Sequence, residues 1–291
     1  MTTAAHDDPR LVEDEAARGR AGPSAAIADL AERLRGRRVV VLTGAGVSTE
    51  SGIPDYRSPG AKPRRPIHGP DFVRSAAIQR RYWARSMTAW DRFRSAAPGP
   101  AHRAVADLEA RGVVTRLITQ NVDRLHHAAG SRRVVELHGA LAEVICLGCR
   151  AVEPRDAVQA RLRASNPGWG VGAALAPDGD SDLSDDDVAR FVAPSCTACG
   201  GALKPNVVFF GEAVARPLVL DAFASVDAAD ALLVAGTSLA VFSGYRFLRR
   251  AVERRVPVAI VNRGPVRGEE HAAARIDGST GAVLTELARL L

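Results

Sequence analysis

Lysine is almost absent from this chain of 291 residues: it stands only at Lys62 and Lys204, and every other basic residue is arginine. Aromatic residues make up 5% of the chain, and no apolar run approaches the roughly 20 residues that a bilayer-spanning helix needs. The first stretch, "MTTAAHDDPRLVEDEAARGRAGPS", has no apolar segment and mixes both charge signs. It reads as a disordered tail rather than a secretory or transit signal, so the expected location is the cytoplasm, with no membrane partner. The net charge of +6 is carried by arginines that are scattered instead of clustered with aromatics. It therefore reports solvation, and no nucleic-acid partner is expected. No internal repeat is present.

What the chain does have is the composition of an ordinary globular protein, 46% hydrophobic and 25% charged. Its length allows one large domain with a small satellite. After Ser24 as a helix cap, "AAIADLAERLR" places Ile27, Leu30 and Leu34 on one helical face. The aliphatic runs at 38–43, "VVTRLITQN", "RRVVELHG", "NVVFF", "ALLVAG" and "VPVAIVN" alternate with helical patterns near 101–112, 215–227 and 243–254. Such runs predict parallel strands buried on both faces, hence a doubly wound, Rossmann-like α/β fold. The expected division is a tail at 1–24, a nucleotide-binding domain at 25–140 and 203–291, and a small inserted module at 141–202. Residues 61–95 form a Pro-broken loop followed by helical pieces. A monomer is expected.

All four cysteines lie in two pairs, Cys146-x-x-Cys149 and Cys196-x-x-Cys199. Two such knuckles offer four thiolates to one tetrahedral Zn²⁺. Two disulfides are the alternative, disfavoured in a reducing compartment. Four protein ligands leave no open position, so the expected zinc is structural.

The run "VVVLTGAGVSTESGIPDYRSPG" begins as a dinucleotide-binding turn at Gly44-Ala45-Gly46 and then departs from it, with Thr49 where the third glycine of G-x-G-x-x-G belongs. The acidic ribose anchor expected about 20 residues later is also missing, because "AKPRRPIHGP" is neither a strand nor acidic. Other polar residues follow aliphatic runs: Gln120, Asn121 and Asp123 in "TQNVDRLHHAAG", Gly236, Thr237 and Ser238 in "AGTSL", and Asn262, Arg263 and Gly264 in "VNRG". Alone, Asn121 and Asp123 could be a helix cap, and each turn an ordinary strand-to-helix connection. Several on one sheet edge strengthen the reading as a nucleotide site. His138 ends another aliphatic run, where it is either a structural residue or a base.

Together, "GAGVSTESGIPDYRS", "TQNVDRLH", "ELHG", the paired C-x-x-C, "KPNVVFFGE", "GTSL" and "VN" resemble the sirtuins, the NAD-dependent protein-lysine deacylases. They occur in family order over about residues 25–291. The segment "RRPI…DFVRSAAIQRRYWARS" is most similar to the class II branch associated with lipoamidase and ADP-ribosyltransferase activities. Val47 and Val122 depart from the isoleucines common in the family.

The resemblance implies that NAD⁺ is a consumed substrate. Gly44, Ala45, Gly46, Ser48, Thr49, Asp55, Tyr56 and Arg57 would cover the pyrophosphate and the nicotinamide ribose. Asn121, Val122 and Asp123 would line the nicotinamide pocket and Gln120 would reach the ribose, while Gly236, Thr237, Ser238, Asn262, Arg263, Gly264 and Thr280 would hold the adenosine half. The acyl oxygen of an acylated lysine attacks the ribose to give an alkylimidate, with His138 as general base. Acylated-lysine proteins are thus the implied substrates, and lysine, nicotinamide and O-acyl-ADP-ribose the products. The peptide would lie along Val208, Phe209, Phe210, Gly211 and Glu212 opposite "AVFSG". Tyr82 and Arg85 have the spacing of a clamp for an acidic acyl chain, or are one turn of a packed helix. Lipoamidase activity or mono-ADP-ribosyl transfer at the same site is the alternative. A zinc-knuckle binding protein and an NAD or flavin oxidoreductase are weaker readings.

Overall fold

The aliphatic runs become the strands of a six-stranded sheet in the computed structural model, which describes residues 23–54, 67–169 and 185–291. In chain order these are β1 (Val39–Thr43), β2 (Val114–Thr119) and β3 (Val134–Glu136), then, after a second small sheet, β7 (Ala231–Ala235), β8 (Val258–Val261) and β9 (Ala274–Ile276). All pair in parallel in the order β3-β2-β1-β7-β8-β9. The strand order reverses between β1 and β7, and such a switch point is where doubly wound folds bind ligands.

Helices cover both faces, which is why β1 and β7 are buried at every position. On one face lie α1 (Pro23–Leu34), α4 (Pro100–Ala110) and α10 (Thr280–Leu290), with Leu30, Leu108 and Leu284 against Val41 and Leu233. Ile27, Leu30 and Leu34 form the expected buried stripe. The helix begins at Pro23, however, so Ser24 lies inside it rather than capping it. On the other face α8 (Arg216–Asp227) and α9 (Phe242–Glu253) bring Val226, Phe247 and Leu248 onto Val40, Leu42 and Ile260. Between β2 and β3 runs the short α5 (Leu125–Ala128).

One strand expectation fails. "NVVFF" is not a strand of the parallel sheet. Its first residues end β6 (Leu203–Val207), which pairs antiparallel with β4 (Gly139–Cys146); β5 (Val152–Pro154) flanks β4 on the other side. A short aliphatic run does not reveal which sheet it joins.

The small sheet, α6 (Arg155–Ser165) and α7 (Asp185–Arg190) pack on α3 (Ala76–Arg94), which follows α2 (Gly69–Arg74) and is capped by Ser75 Oγ accepting from Ile78 N at 3.3 Å. Trp83 and Met87 of α3 share a core with Val144, Val158 and Leu203. The Trp83 indole donates to Leu203 O at 3.1 Å. Arg155 is 2% exposed and its guanidinium lies 5.3 and 5.0 Å from the Trp83 and Trp90 ring centroids. Burial pulls its pKa down to about 10, so it stays cationic at neutral pH and gains from the ring faces. Among the described residues, no helix is long and apolar enough to cross a membrane.

Candidate active site and metal centre

Two tight turns meet at the switch point. Ala45–Val47 and Thr49–Ser51 form consecutive 3₁₀ turns after β1, and Gly236 follows β7 with φ +62°. Gly46 N donates to Gly236 O at 2.8 Å. A Cβ on Gly44 would lie 2.6 Å from the Thr237 Cβ, and one on Gly236 would lie 2.6 Å from Val47 N. The glycines are therefore needed for the two turns to interlock. Gly44, Gly46, Val47 and Ser48 each spend their N–H on a protein carbonyl, so this turn is not an open cradle of amides as in hydride-transfer enzymes. Thr49 Oγ1 and Thr280 Oγ1 both donate to Gly46 O, at 3.1 and 3.2 Å. Thr49 thus secures the turn where a third glycine was missing.

Below the turns lies a buried polar network. Asn121, directly after β2, donates through Nδ2 to Gly44 O at 3.1 Å and to Ser48 Oγ at 3.0 Å. Ser48 Oγ donates to Asp123 Oδ2 at 2.7 Å, and Asp123 Oδ1 accepts from Leu125 N at 2.9 Å. Asp123 therefore spends Oδ1 on the first amide of α5, as a helix cap would, and Oδ2 on Ser48. His102 Nε2 approaches Ser48 Oγ at 3.3 Å, and its ring meets His126 edge-on at 4.7 Å. His126 Nε2 lies 3.0 Å from Thr43 Oγ1. Burial holds both histidines below the ordinary pKa, His126 well below, although the Asp123 charge opposes the shift at His102. His127 is exposed, 3.6 Å from Glu136.

His138 precedes β4 and stands on the other side of Gln120. Its Nδ1 is 2.8 Å from the Gln120 carbonyl, which only accepts, so Nδ1 carries the proton. Nε2 then presents its lone pair and accepts from Ser243 Oγ at 2.8 Å in the neutral ring. Burial lowers the His138 pKa, the Gln120 carbonyl opposes this, and Arg246 adds to it. The imidazole is thus a neutral base of fixed tautomer. Gln120 itself donates to Thr237 Oγ1 at 3.0 Å, and Gly244 makes room for it, since a Cβ there would lie 2.5 Å from Gln120 Oε1. Because β2 is the neighbour of β1, Gln120 occupies the strand-end position where hydride-transfer folds carry their ribose acid.

On the far side of β7, Asn262 donates to Arg263 O at 2.7 Å and Gly264 O at 3.2 Å, shaping the turn after β8. Ser238 O accepts from Arg267 N at 2.9 Å. Thr280 opens α10, and Ser279, its cap, donates to Glu50.

Residues Val208 to Glu212 leave β6 beside His138, with Val208 N donating to His138 O at 2.9 Å. Phe210 is half exposed. Glu212 Oε2 folds the segment by accepting from Phe209 N and from Lys204 Nζ, at 2.8 and 2.9 Å, and Lys204 stands 4.5 Å from the Phe209 ring centroid. Gly211 has φ +80° in this turn, and a Cβ on Gly69 would run into Glu212. Tyr82 packs edge-on against Phe72 and Phe209 at 5.6 and 5.9 Å, and burial raises its pKa while the Arg155 charge opposes the shift. Tyr82 is thus a wall beside the Phe209 segment as well as part of the helix packing. Arg85 lies one turn on, partly buried.

The four Sγ atoms of Cys146, Cys149, Cys196 and Cys199 lie within 4.8 Å of one another, and all four cysteines are free. Cys146 and Cys199 are 3.5 Å apart, Cys149 and Cys196 3.7 Å. Four Zn–S bonds of about 2.3 Å at tetrahedral angles put sulfurs about 3.8 Å apart, so the cluster fits one zinc ion. Gly201 keeps the cluster this tight, since its Cβ would lie 3.0 Å from Cys146 Sγ. The disulfide alternative fails.

Asp55, Tyr56 and Arg57 lie outside the described residues, as does most of the acidic stretch 178–187. His102 was not singled out from the sequence, Ser243 and Gly244 entered only within the run "AVFSG", and Lys204 only as a rare lysine and within "KPNVVFFGE". His102 follows "PGP" at the third position of a helix, a capping signature, and Lys204 is a rare lysine in an arginine-rich chain; neither signal names a partner.

A family model described as the Sir2 family matches residues 44–243. An NAD-dependent protein deacetylase of Mycobacterium avium is 48% identical over 266 residues, covering 89% of this chain and 94% of the relative. The mitochondrial NAD-dependent protein lipoamidase sirtuin-4 of Homo sapiens is 49% identical over 254 residues, 85% of this chain and 81% of that protein. A solved complex of Sir2 with a p53 peptide and NAD⁺ superposes with a TM-score of 0.70 at 28% identity, covering 90% of this chain and 95% of that one.

Proposed function

The chain belongs to the Sir2 family and is an NAD-dependent protein deacylase, and on that premise we propose how its residues divide the reaction. The single observation that carries the proposal is His138. A neutral imidazole with Nδ1–H locked on Gln120 O presents Nε2 at the switch point, where a ribose hydroxyl needs a base. Ser243 holds that lone pair and is displaced when the hydroxyl arrives. Asn121 and Asp123 face the departing nicotinamide, and Gln120 with Thr237 steadies the ribose. Thr280, Ser238, Asn262, Arg263 and Gly264 hold the adenosine half. Asp55, Tyr56 and Arg57 are assigned to the cover over the nicotinamide ribose.

The acylated lysine enters between Phe209 and the α9 start, its peptide adding along Val208–Glu212. Phe72, Tyr82 and Phe209 bound the acyl chain. The four cysteines would hold zinc, which supplies structure to the small module and no chemistry to the reaction.

The test is product analysis with NAD⁺ and acetyl-, succinyl- and lipoyl-lysine peptides, read by mass spectrometry. Free lysine peptide, nicotinamide and O-acyl-ADP-ribose in equal amounts are expected. ADP-ribose carried by protein, without deacylation, would overturn this assignment in favour of ADP-ribosyl transfer. Cleavage of the lipoyl peptide alone would move the chain to the lipoamidase reading, which the human relative favours.

A further inference from the structure

Helix α9 carries three arginines, and two of them are spent on carboxylates. Arg250 donates to Asp227 through Nε and Nη2 at 2.7 and 2.6 Å, and Arg249 lies 3.6 Å from Glu253. Arg246 differs from both. Its Nε is buried without a hydrogen-bond partner, and no acceptor or carboxylate among the described residues meets the rest of its guanidinium. The group lies instead over the Phe242 ring, 5.2 Å from its centroid. Phe242 is itself about half exposed. A guanidinium stacked on an exposed ring keeps its charge and holds its fork in place, with the outer N–H groups left for a ligand.

The helix sets where that fork stands. Arg246 follows Ser243 by three residues and Phe242 by four, so the three share one face of α9. Ser243 Oγ is 2.8 Å from His138 Nε2, which fixes that face beside the base. The Arg246 charge is felt there, since it disfavours protonation of His138. Across the entrance, the Glu212 carboxylate is committed to Phe209 N and Lys204 and does not neutralise Arg246.

We propose that Arg246 is a specificity-determining residue of the peptide groove: it binds the carboxylate of an aspartate or glutamate flanking the acylated lysine, so that acidic segments of protein substrates are favoured. The proposal rests on the reading that the acylated lysine enters between Phe209 and the start of α9. The peptide supplies the carboxylate because Arg246 lies on α9, along the course of the peptide, whereas the acyl chain is bounded from the other side by Phe72, Tyr82 and Phe209. With Nε buried, the carboxylate meets the two Nη groups end-on. A contact at the rim of a groove is partly solvated, so its effect is modest and screened by salt.

Acetyl-lysine peptides with Asp or Glu at each flanking position are compared with their Asn or Gln counterparts, at about pH 8, where an ordinary imidazole is neutral. In the wild type, kcat/KM should favour the acidic peptide about fivefold at one or more positions, and high salt should shrink the preference. Arg246→Gln should remove it and Arg246→Lys should keep part of it. Arg246→Glu should invert it, favouring arginine over aspartate at the same position. That inversion is a gain for one substrate, which a damaged fold does not produce. The KM for NAD⁺ should be the same in all four proteins.

No preference at any flanking position in the wild type, or one that survives in Arg246→Gln, would overturn the proposal. So would a KM for NAD⁺ raised alike with every peptide in Arg246→Gln, which would put the guanidinium on the phosphates. A further arm compares succinyl- with acetyl-lysine in a peptide free of acidic residues. A succinyl preference that Arg246→Gln removes, with no flanking preference, would place the carboxylate on the acyl chain and overturn the assignment to the peptide. A wild-type enzyme that deacylates none of these peptides would instead bring down the deacylase reading, and this proposal with it.

Discussion

The edge of the parallel sheet and the four-cysteine module meet the same requirement, satisfied polar groups, in opposite ways. At the sheet edge Ser48, Asn121, Asp123, Gln120 and His138 are partnered by one another and by backbone. That arrangement is complete before any substrate arrives. In the module four sulfurs converge within 4.8 Å, and their thiolate forms repel unless a cation lies between them. A preorganised substrate site should therefore outlast loss of its substrate, whereas the module should not outlast loss of its metal.

Zinc removal breaks that comparison most severely. Structural zinc contributes about 10 kcal/mol or more in small zinc domains. Treating the protein with a strong chelator should abolish a cooperative melting transition in the module and cost activity by exposing the Trp83–Val144–Leu203 core, while dialysis against NAD⁺-free buffer leaves the transition unchanged. Tryptophan fluorescence and circular dichroism together check this.

Acid should act on the sheet-edge side through its histidines. His102, His126 and His138 are held below the ordinary value of 6.5, in each case chiefly by burial. Groups of this kind bind protons more readily when unfolded. Their stabilisation is thus complete above about pH 6.5 and lost as pH falls toward the folded-state values. The melting midpoint should hold between about pH 8 and 7 and decline below about 6.5. Zinc content measured at each pH assigns the decline to the histidines when the metal is still bound.

The smallest effect concerns the boundary between the two regions, where α3 carries Tyr82 and Arg85. A carboxylate clamp predicts that Arg85→Met lowers kcat/KM for succinyl-lysine peptide by roughly tenfold relative to acetyl-lysine. Equal losses on both peptides would assign Arg85 to packing.

Much of this was legible in sequence, for reasons particular to each element. The valine-rich runs around Val41 and Leu233 read as parallel strands because both faces are buried. The cysteines announced their cluster because thiolate geometry constrains spacing. "NVVFF" misled because burial alone does not encode which strand is the partner. The missing ribose acid was sought in the next segment of sequence, whereas topology puts β2 beside β1 and Gln120 at its end. His102 was invisible for a similar reason: Ser48 is 54 positions away, and only the packing of α4 under the glycine turn brings them together.

The central claim is that His138 is the base of a preassembled site and that zinc is scaffold alone. Nicotinamide release from NAD⁺ and acetyl-lysine peptide by His138→Ala, measured beside its zinc content and melting midpoint, tests both halves together. The account predicts turnover reduced by about 10² to 10⁴-fold with one zinc per chain and a melting transition that stays cooperative. Turnover within a few-fold of wild type, with zinc and fold intact, would contradict it.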